Sequence, residues 1–128
     1  MLSDDHRDAS DLDRSRAALT QAGADSLPRR PWQHPRQPVS DADFVRFAAW
    51  SARDADATDP ATVLAGLRLL AAARAELDQV ESGLLFAARG ADMTWTQIAE
   101  ALGLGSAQAA QQRLSRMLAR TSEPGTEP

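Results

Sequence analysis

Three glutamines, Gln108, Gln111 and Gln112, fall at i, i+3 and i+4 in the stretch SAQAAQQRLSRML, so in a helix they share one face. Each carboxamide carries a donor and an acceptor on one planar group, which suits the N6/N7 edge of adenine in a major groove. Ser115 and Ala119 lie on the same side, and Ser106 and Ala107 stand where that helix would enter a groove. Arg113, Arg116 and Arg120 follow i, i+3, i+7 spacing and form a basic strip beside the glutamines. Arginines so placed hold phosphates, which fixes register without reading sequence. Arg89, further back in the chain, is a fourth candidate phosphate contact. The opposite side of the glutamine helix is apolar, with Ala107, Ala110, Leu114, Met117 and Leu118.

A face that is to meet a partner has to be held out by something beneath it. Thr94 and Gln97 have the spacing of a capping box, in which each side chain satisfies a free backbone N–H of the other residue. Trp95, Ile98, Ala99 and Leu102 then fall at i, i+3, i+4 and i+7 on one side of a short helix. Gly103 stands where that helix stops, because glycine enters the left-handed conformation without a Cβ penalty. Leu104 forms an apolar plug in the turn, and Ser106 is a good N-cap for the glutamine helix. Ala99 and Ala110 are small enough for two helix backbones to approach, with Trp95, Ile98, Leu102, Leu104 and Leu114 filling the space around them.

Residues 94–118 resemble small actinobacterial helix-turn-helix DNA-binding proteins and, more distantly, the DNA-binding helices of sigma-factor region 4. The likeness is carried by Thr94, Trp95, Gln97, Ile98, Ala99, Leu102, Gly103, Leu104, Ser106, Gln108, Ala109, Ala110, Arg113 and Leu114. Gly105 is an extra residue relative to that pattern and lengthens the turn. The resemblance covers about a fifth of the chain and implies double-stranded DNA binding, with the second helix in the major groove. A polar outer face is also what any surface helix shows, and three-helix units of this kind serve equally as packing modules or protein-binding surfaces.

Composition narrows the remaining classes. The chain has 128 residues, enough for a small domain with tails, and a formal net charge of −4, so it is not a basic nucleic-acid coat. A DNA-binding surface would have to be local, because the total field repels phosphate. All 14 basic side chains are arginine, a bias that fits a GC-rich genome. With no cysteine, neither a disulfide framework nor a thiolate metal site is possible. No apolar run reaches the ~18 residues of a membrane span, and no signal-peptide core is visible, so a cytoplasmic protein is expected. His6 and His34 lie away from any expected pocket, no phosphate-binding glycine loop is present, and Glu76, Asp78 and Glu81 read as surface charge. Neither catalysis nor a cofactor or metal is expected.

The expected architecture is all-α, a helical bundle with one long helix followed by a C-terminal helix-turn-helix and flanked by disordered tails. Residues 1–39 carry many charges and few apolar side chains and are expected to be disordered. A weak helix between Asp11 and Gln21, with Ser10 and Asp13 as a capping pair, would need a partner to persist. The run PRRPWQHPRQP, net +3, predicts an extended linker, with Trp32 and the arginines as a possible anchor on DNA or protein. Residues 40–90 form the scaffold. Ser40 and Asp43 open a helix bearing Phe44, Phe47, Ala48 and Ser51 on one face, with Val45 and Trp50 beside it, its aromatics expected in the core. Asp59-Pro60 starts a helix of ~30 residues, ~45 Å long, that runs to about Arg89. Val63, Gly66, Leu70, Ala73, Leu77, Val80, Leu84 and Ala87 make a heptad seam along it, widened by Leu64, Leu67 and Leu85. Such a seam predicts a homodimer through this helix and the Phe44 helix, the alternative being an intrachain bundle in which residues 41–54 fold back. Residues 91–120 hold the helix-turn-helix and residues 121–128 a polar tail. The rival expectation is a helical adaptor that binds a sigma factor or another regulator, using the acidic 40–59 region (net −3) or Trp32, without touching DNA.

Overall fold

The computed structural model describes residues 2–121 and is helical throughout its regular parts, with no strand among the described residues. Six α-helices follow in order: α1 (Leu2–Ala22), α2 (Asp41–Ser51), α3 (Pro60–Arg68), α4 (Leu70–Gly90), α5 (Trp95–Leu102) and α6 (Ala107–Thr121). Short 3-10 turns occupy Ala24–Ser26 and Ala55–Ala57. The polar tail beyond Thr121 lies outside the described residues. The chain divides into two compact units, Met1–Glu76 and Leu77–Pro128, and α4 contributes its first turns to the former and the rest to the latter.

The first unit overturns the expectation of a disordered segment 1–39. Residues 2–22 form one continuous helix, with Asp4 and Asp5 in its first turn where the helix dipole favours negative charge. Ser10 and Asp13 lie inside it rather than at its start. The partner that its few apolar residues require comes from the same chain: α1 packs on both α2 and α3. Leu19 is completely buried with Ala24, Phe44, Phe47, Ala48, Ala65 and Leu69, and Leu12 packs at the edge of that core. Burying one leucine fully stabilises by about 1.5–3 kcal/mol, so a single well-placed side chain offsets much of the segment's polarity. Arg16 adds a forked contact to Asp41, 2.8 Å at Nε and 3.0 Å at Nη2, which raises the guanidinium's pKa mainly through the hydrogen bonds to that carboxylate. Residues 28–39 contain neither helix nor strand, but they are not the extended linker the prolines predict: the Gln33 N–H bonds to the Arg30 carbonyl at 3.0 Å and the Gln37 N–H to the His34 carbonyl at 2.9 Å, closing two turns, and two of the three arginine side chains are engaged. Arg30 donates to Asp43 at 3.0 Å and Arg29 to the His34 carbonyl at 3.2 Å. Trp32 stays 77% exposed.

The long helix expected from Pro60 to about Arg89 is two helices. Asp59 caps α3 by accepting from the Ala61 N–H at 3.0 Å, with Pro60 at the first position. Leu69 interrupts the run: its N–H is shared between the Ala65 and Gly66 carbonyls at 3.2 Å each, a tightening of the last turn of α3. Leu69 is off the heptad seam and is the residue of this region buried completely. The seam itself divides. Gly66 and Ala73 are buried in the first unit, whereas Leu77, Val80 and Leu84 are 53%, 54% and 66% exposed.

The Phe44 helix is an intrachain partner and not the expected dimer face. Ser40 opens α2 by accepting from the Asp43 N–H at 3.1 Å, and Phe44, Phe47 and Ala48 turn into the first unit's core. α2 and α3 approach closely at Gly66, where an added Cβ would lie 2.5 Å from the Ala48 Cβ. Trp50 departs from the expected core position. It is 59% exposed, with the Arg53 guanidinium 4.0 Å above its ring.

Candidate nucleic-acid interface

The second unit is built around a small core of Leu85, Ile98, Ala99, Ala110 and Met117. Ala88, Met93, Trp95, Leu102, Leu104 and Leu114 pack against it. All seven residues expected to hold the glutamine face in place therefore lie in or against one apolar cluster. Ala110 is completely buried, which is what its small side chain permits at a helix crossing.

Local chemistry explains each break in the backbone. α4 ends at Gly90, and in the turn that follows Asp92 has a left-handed φ of 65° while the Met93 N–H reaches back to the Ala88 carbonyl at 3.0 Å. The capping box of α5 is complete: Thr94 Oγ1 accepts from the Gln97 N–H at 3.1 Å, and Gln97 Oε1 accepts from the Thr94 N–H at 2.8 Å. Gly103 adopts φ 73° and ψ 24°. The Leu104 N–H then bonds to the Ala99 carbonyl at 2.8 Å and the Gly103 N–H to the Glu100 carbonyl at 3.1 Å, the paired bonds of a Schellman motif. Its usual apolar contact is supplied by Leu104, which packs into the cluster. Ser106 caps α6 through the Ala109 N–H at 3.1 Å. The bend between α5 and α6 is thus fixed by hydrogen bonds at both ends, and Gly105 contributes only length to it.

α6 presents the outer face its spacing predicts, although Leu118, expected on the apolar side, is 40% exposed. Gln108, Gln111, Gln112, Ser115 and Arg116 are exposed, Ala107 is half-buried, and Ala110 and Met117 are buried on the far side. No described hydrogen bond engages the three carboxamides. Ser106 has spent its acceptor on the cap, which leaves its hydroxyl proton free to donate.

The arginines do not form the uniform basic strip that their spacing suggests. Arg113 is forked onto Glu81 of α4, with Nε to Oε2 at 2.5 Å and Nη2 to Oε1 at 3.0 Å. Those hydrogen bonds, followed by the charge of the same carboxylate, raise the pKa of Arg113 above its ordinary value. Arg120 reaches Asp78, also on α4, at 3.8 Å. Arg89 points the other way: it donates to the Met93 carbonyl at 2.7 Å and stacks 4.9 Å from the Trp95 ring centre, bracing the α4–α5 corner. Arg116 alone among these four has no described ion pair or hydrogen bond. Glu81 and Asp78 are therefore not ordinary surface charge, and neither is Glu76, which accepts from the Asp41 N–H at 3.0 Å. Their spacing of three residues was the available signal, but which arginines they meet depends on how α4 and α6 cross.

Among the described residues no cluster of acidic or histidine side chains could hold a metal, and no helix is long and apolar enough to cross a membrane. No family model, curated protein or solved structure matches the chain, so its function has to be read from its own geometry.

Proposed function

We propose that the chain binds double-stranded DNA in a sequence-dependent way through a helix-turn-helix formed by α5 and α6, and acts as a transcriptional regulator. The observation that carries this is the state of α6: three unengaged carboxamides point outward from a helix whose other side is buried. A helix of 15 residues is about 22 Å long, sufficient to lie in a major groove with its N-terminal half against base edges. On this reading Gln108, Gln111 and Gln112 contact bases, Ser106 and Ala107 lie at the groove entrance, and Arg116 is the freest phosphate contact. A second copy, seated on the exposed Leu77, Val80 and Leu84 of α4, completes the proposal by pairing two such surfaces.

Selection of bound duplexes from a random pool tests it. An enriched site with two inverted halves is expected, together with a dimer mass in light scattering. Gln112→Ala should then relax preference at one base pair by ~1–3 kcal/mol. Arg116→Ala should weaken binding to all sequences alike and reduce the salt slope by ~0.9. Recovery of no sequence by the wild-type chain, at any salt concentration, rejects the reading.

One observation favours a second reading. The first unit leaves Trp50, Leu64 and Leu67 exposed, and Leu67 borders an apolar groove between α2 and α3 that Val45, Ala49 and Val63 also line, a feature that suits a protein-binding adaptor. An adaptor should show negligible affinity for duplex DNA even at low salt.

A further inference from the structure

Glu81 and Asp78 stand one turn apart on α4, and the arginines they meet, Arg113 and Arg120, stand two turns apart on α6. The two contacts form successive rungs between the helices. At the closer rung both carboxylate oxygens of Glu81 receive N–H groups from a single guanidinium. That fork is the arrangement in which arginine also receives a phosphate group, two parallel N–H···O bonds to one anion. The rung lies at the margin of the core: the Arg113 side chain is 40% exposed and the Glu81 side chain 21% exposed. A polyanion can therefore reach the guanidinium, but not without meeting the carboxylate.

We infer that Glu81 and Asp78 are built-in competitors for phosphate, each withholding one arginine of α6 from a nucleic-acid backbone. The inference rests on the DNA-facing reading of α6 and says what sets its affinity. An incoming phosphodiester gains Arg113 only by displacing Glu81, so the sequence-independent share of binding is held down. Contacts from the glutamines then carry a larger share of the free energy, and the chain discriminates among sites instead of coating DNA.

The test uses the full chain and four proteins: wild type, Glu81→Gln, Asp78→Asn, and Glu100→Gln as control. Glu100 is exposed on α5 and no described arginine pairs with it, so its replacement changes net charge by the same amount without releasing a guanidinium. Two probes are read, elution from immobilised heparin and affinity for a random-sequence duplex across about 50–200 mM salt. Each released arginine should steepen the logarithmic salt slope by ~0.9, an additional loss of about 3.5-fold across that range. Glu81→Gln and Asp78→Asn should show this, should elute from heparin at higher salt than Glu100→Gln, and should revert when Arg113→Ala or Arg120→Ala is added respectively. If the variants co-elute with Glu100→Gln, only net charge matters and the inference fails, whatever the duplex result. If heparin elution shifts while no protein binds duplex, the masking of the arginines stands and the DNA reading falls. Should Glu81→Gln unfold, Asp78→Asn carries the same comparison, because its longer contact contributes less to the fold.

Discussion

Two glycines in one turn should respond oppositely to the same substitution. Gly103 has φ 73°, a conformation that costs an L-residue roughly 1–2 kcal/mol. Replacing glycine with alanine also restricts the unfolded chain, which returns ~0.4–1 kcal/mol. Gly103→Ala should therefore destabilise the second unit by about 1 kcal/mol. Gly105 has no left-handed φ, and a Cβ built there meets nothing within 4 Å. Gly105→Ala should stabilise by ~0.4–1 kcal/mol, since only the unfolded-state term remains. The two variants then differ by about 1.5–2 kcal/mol, although they share composition and lie two residues apart. Denaturant unfolding followed by circular dichroism measures the difference, and hydrogen exchange of the Leu104 N–H, bonded to the Ala99 carbonyl, locates it. Equal stabilities, or unchanged protection of that amide in Gly103→Ala, would refute the account of the turn and of how α6 is aimed.

Two further substitutions probe the first unit, with a control on α4 in the second. Gly66→Ala places a Cβ 2.5 Å from that of Ala48, so α2 and α3 must separate by about 1 Å, and overpacking of this kind costs ~1–3 kcal/mol. Gly83→Ala on α4 meets nothing within 4 Å and should instead gain up to ~1 kcal/mol from helix propensity; urea midpoints compare the pair. Leu19→Ala should cost ~2–5 kcal/mol in the same assay, whereas a disordered N-terminal segment would show no change.

What was legible in the sequence was whatever neighbouring residues decide among themselves. Thr94 and Gln97 cap α5, Gly103 ends it, Ser106 starts α6, and Asp59-Pro60 starts α3, because each signal acts within four residues of its target. The outward face of α6 was legible for the same reason: one helical period is enough to compute it. What failed depended on distant partners. α1 looked too polar to fold, since its stability comes from Leu19 meeting Phe44 and Leu69 and from Arg16 meeting Asp41. The seam from Val63 to Ala87 looked continuous because a repeat count does not see that Leu69, one step off register, is the anchor. The basic strip looked free because Glu81 lies 32 residues from Arg113 and is brought to it only by the crossing of α4 and α6.

Charge, which at first favours an adaptor, favours it less once the aspartates of residues 40–59 are followed to their partners. Asp41 is forked by Arg16 and Asp43 is held by Arg30. Asp54 and Asp59 spend their carboxylates on capping, accepting from the Asp56 and Ala61 N–H groups. Asp54, Asp56 and Asp59 stay exposed, and exposed carboxylates are weak lures for a basic partner, because surface pairs contribute only about 0–1 kcal/mol each. An adaptor built on this chain would work through exposed apolar side chains, among them Trp32, Trp50, Leu64 and Leu67, and its binding would depend little on salt. Beside the apolar α4 face assigned to a second copy, α6 of the second unit leaves the opposite kind of surface, polar and uncommitted, with Arg116 as its open cation. Salt dependence therefore separates the two readings by unit as well as by partner. Loss of duplex affinity with rising salt, removed in part by Arg116→Ala and untouched by Trp50→Ala, places function on α6; the reverse pattern places it on α2 and α3.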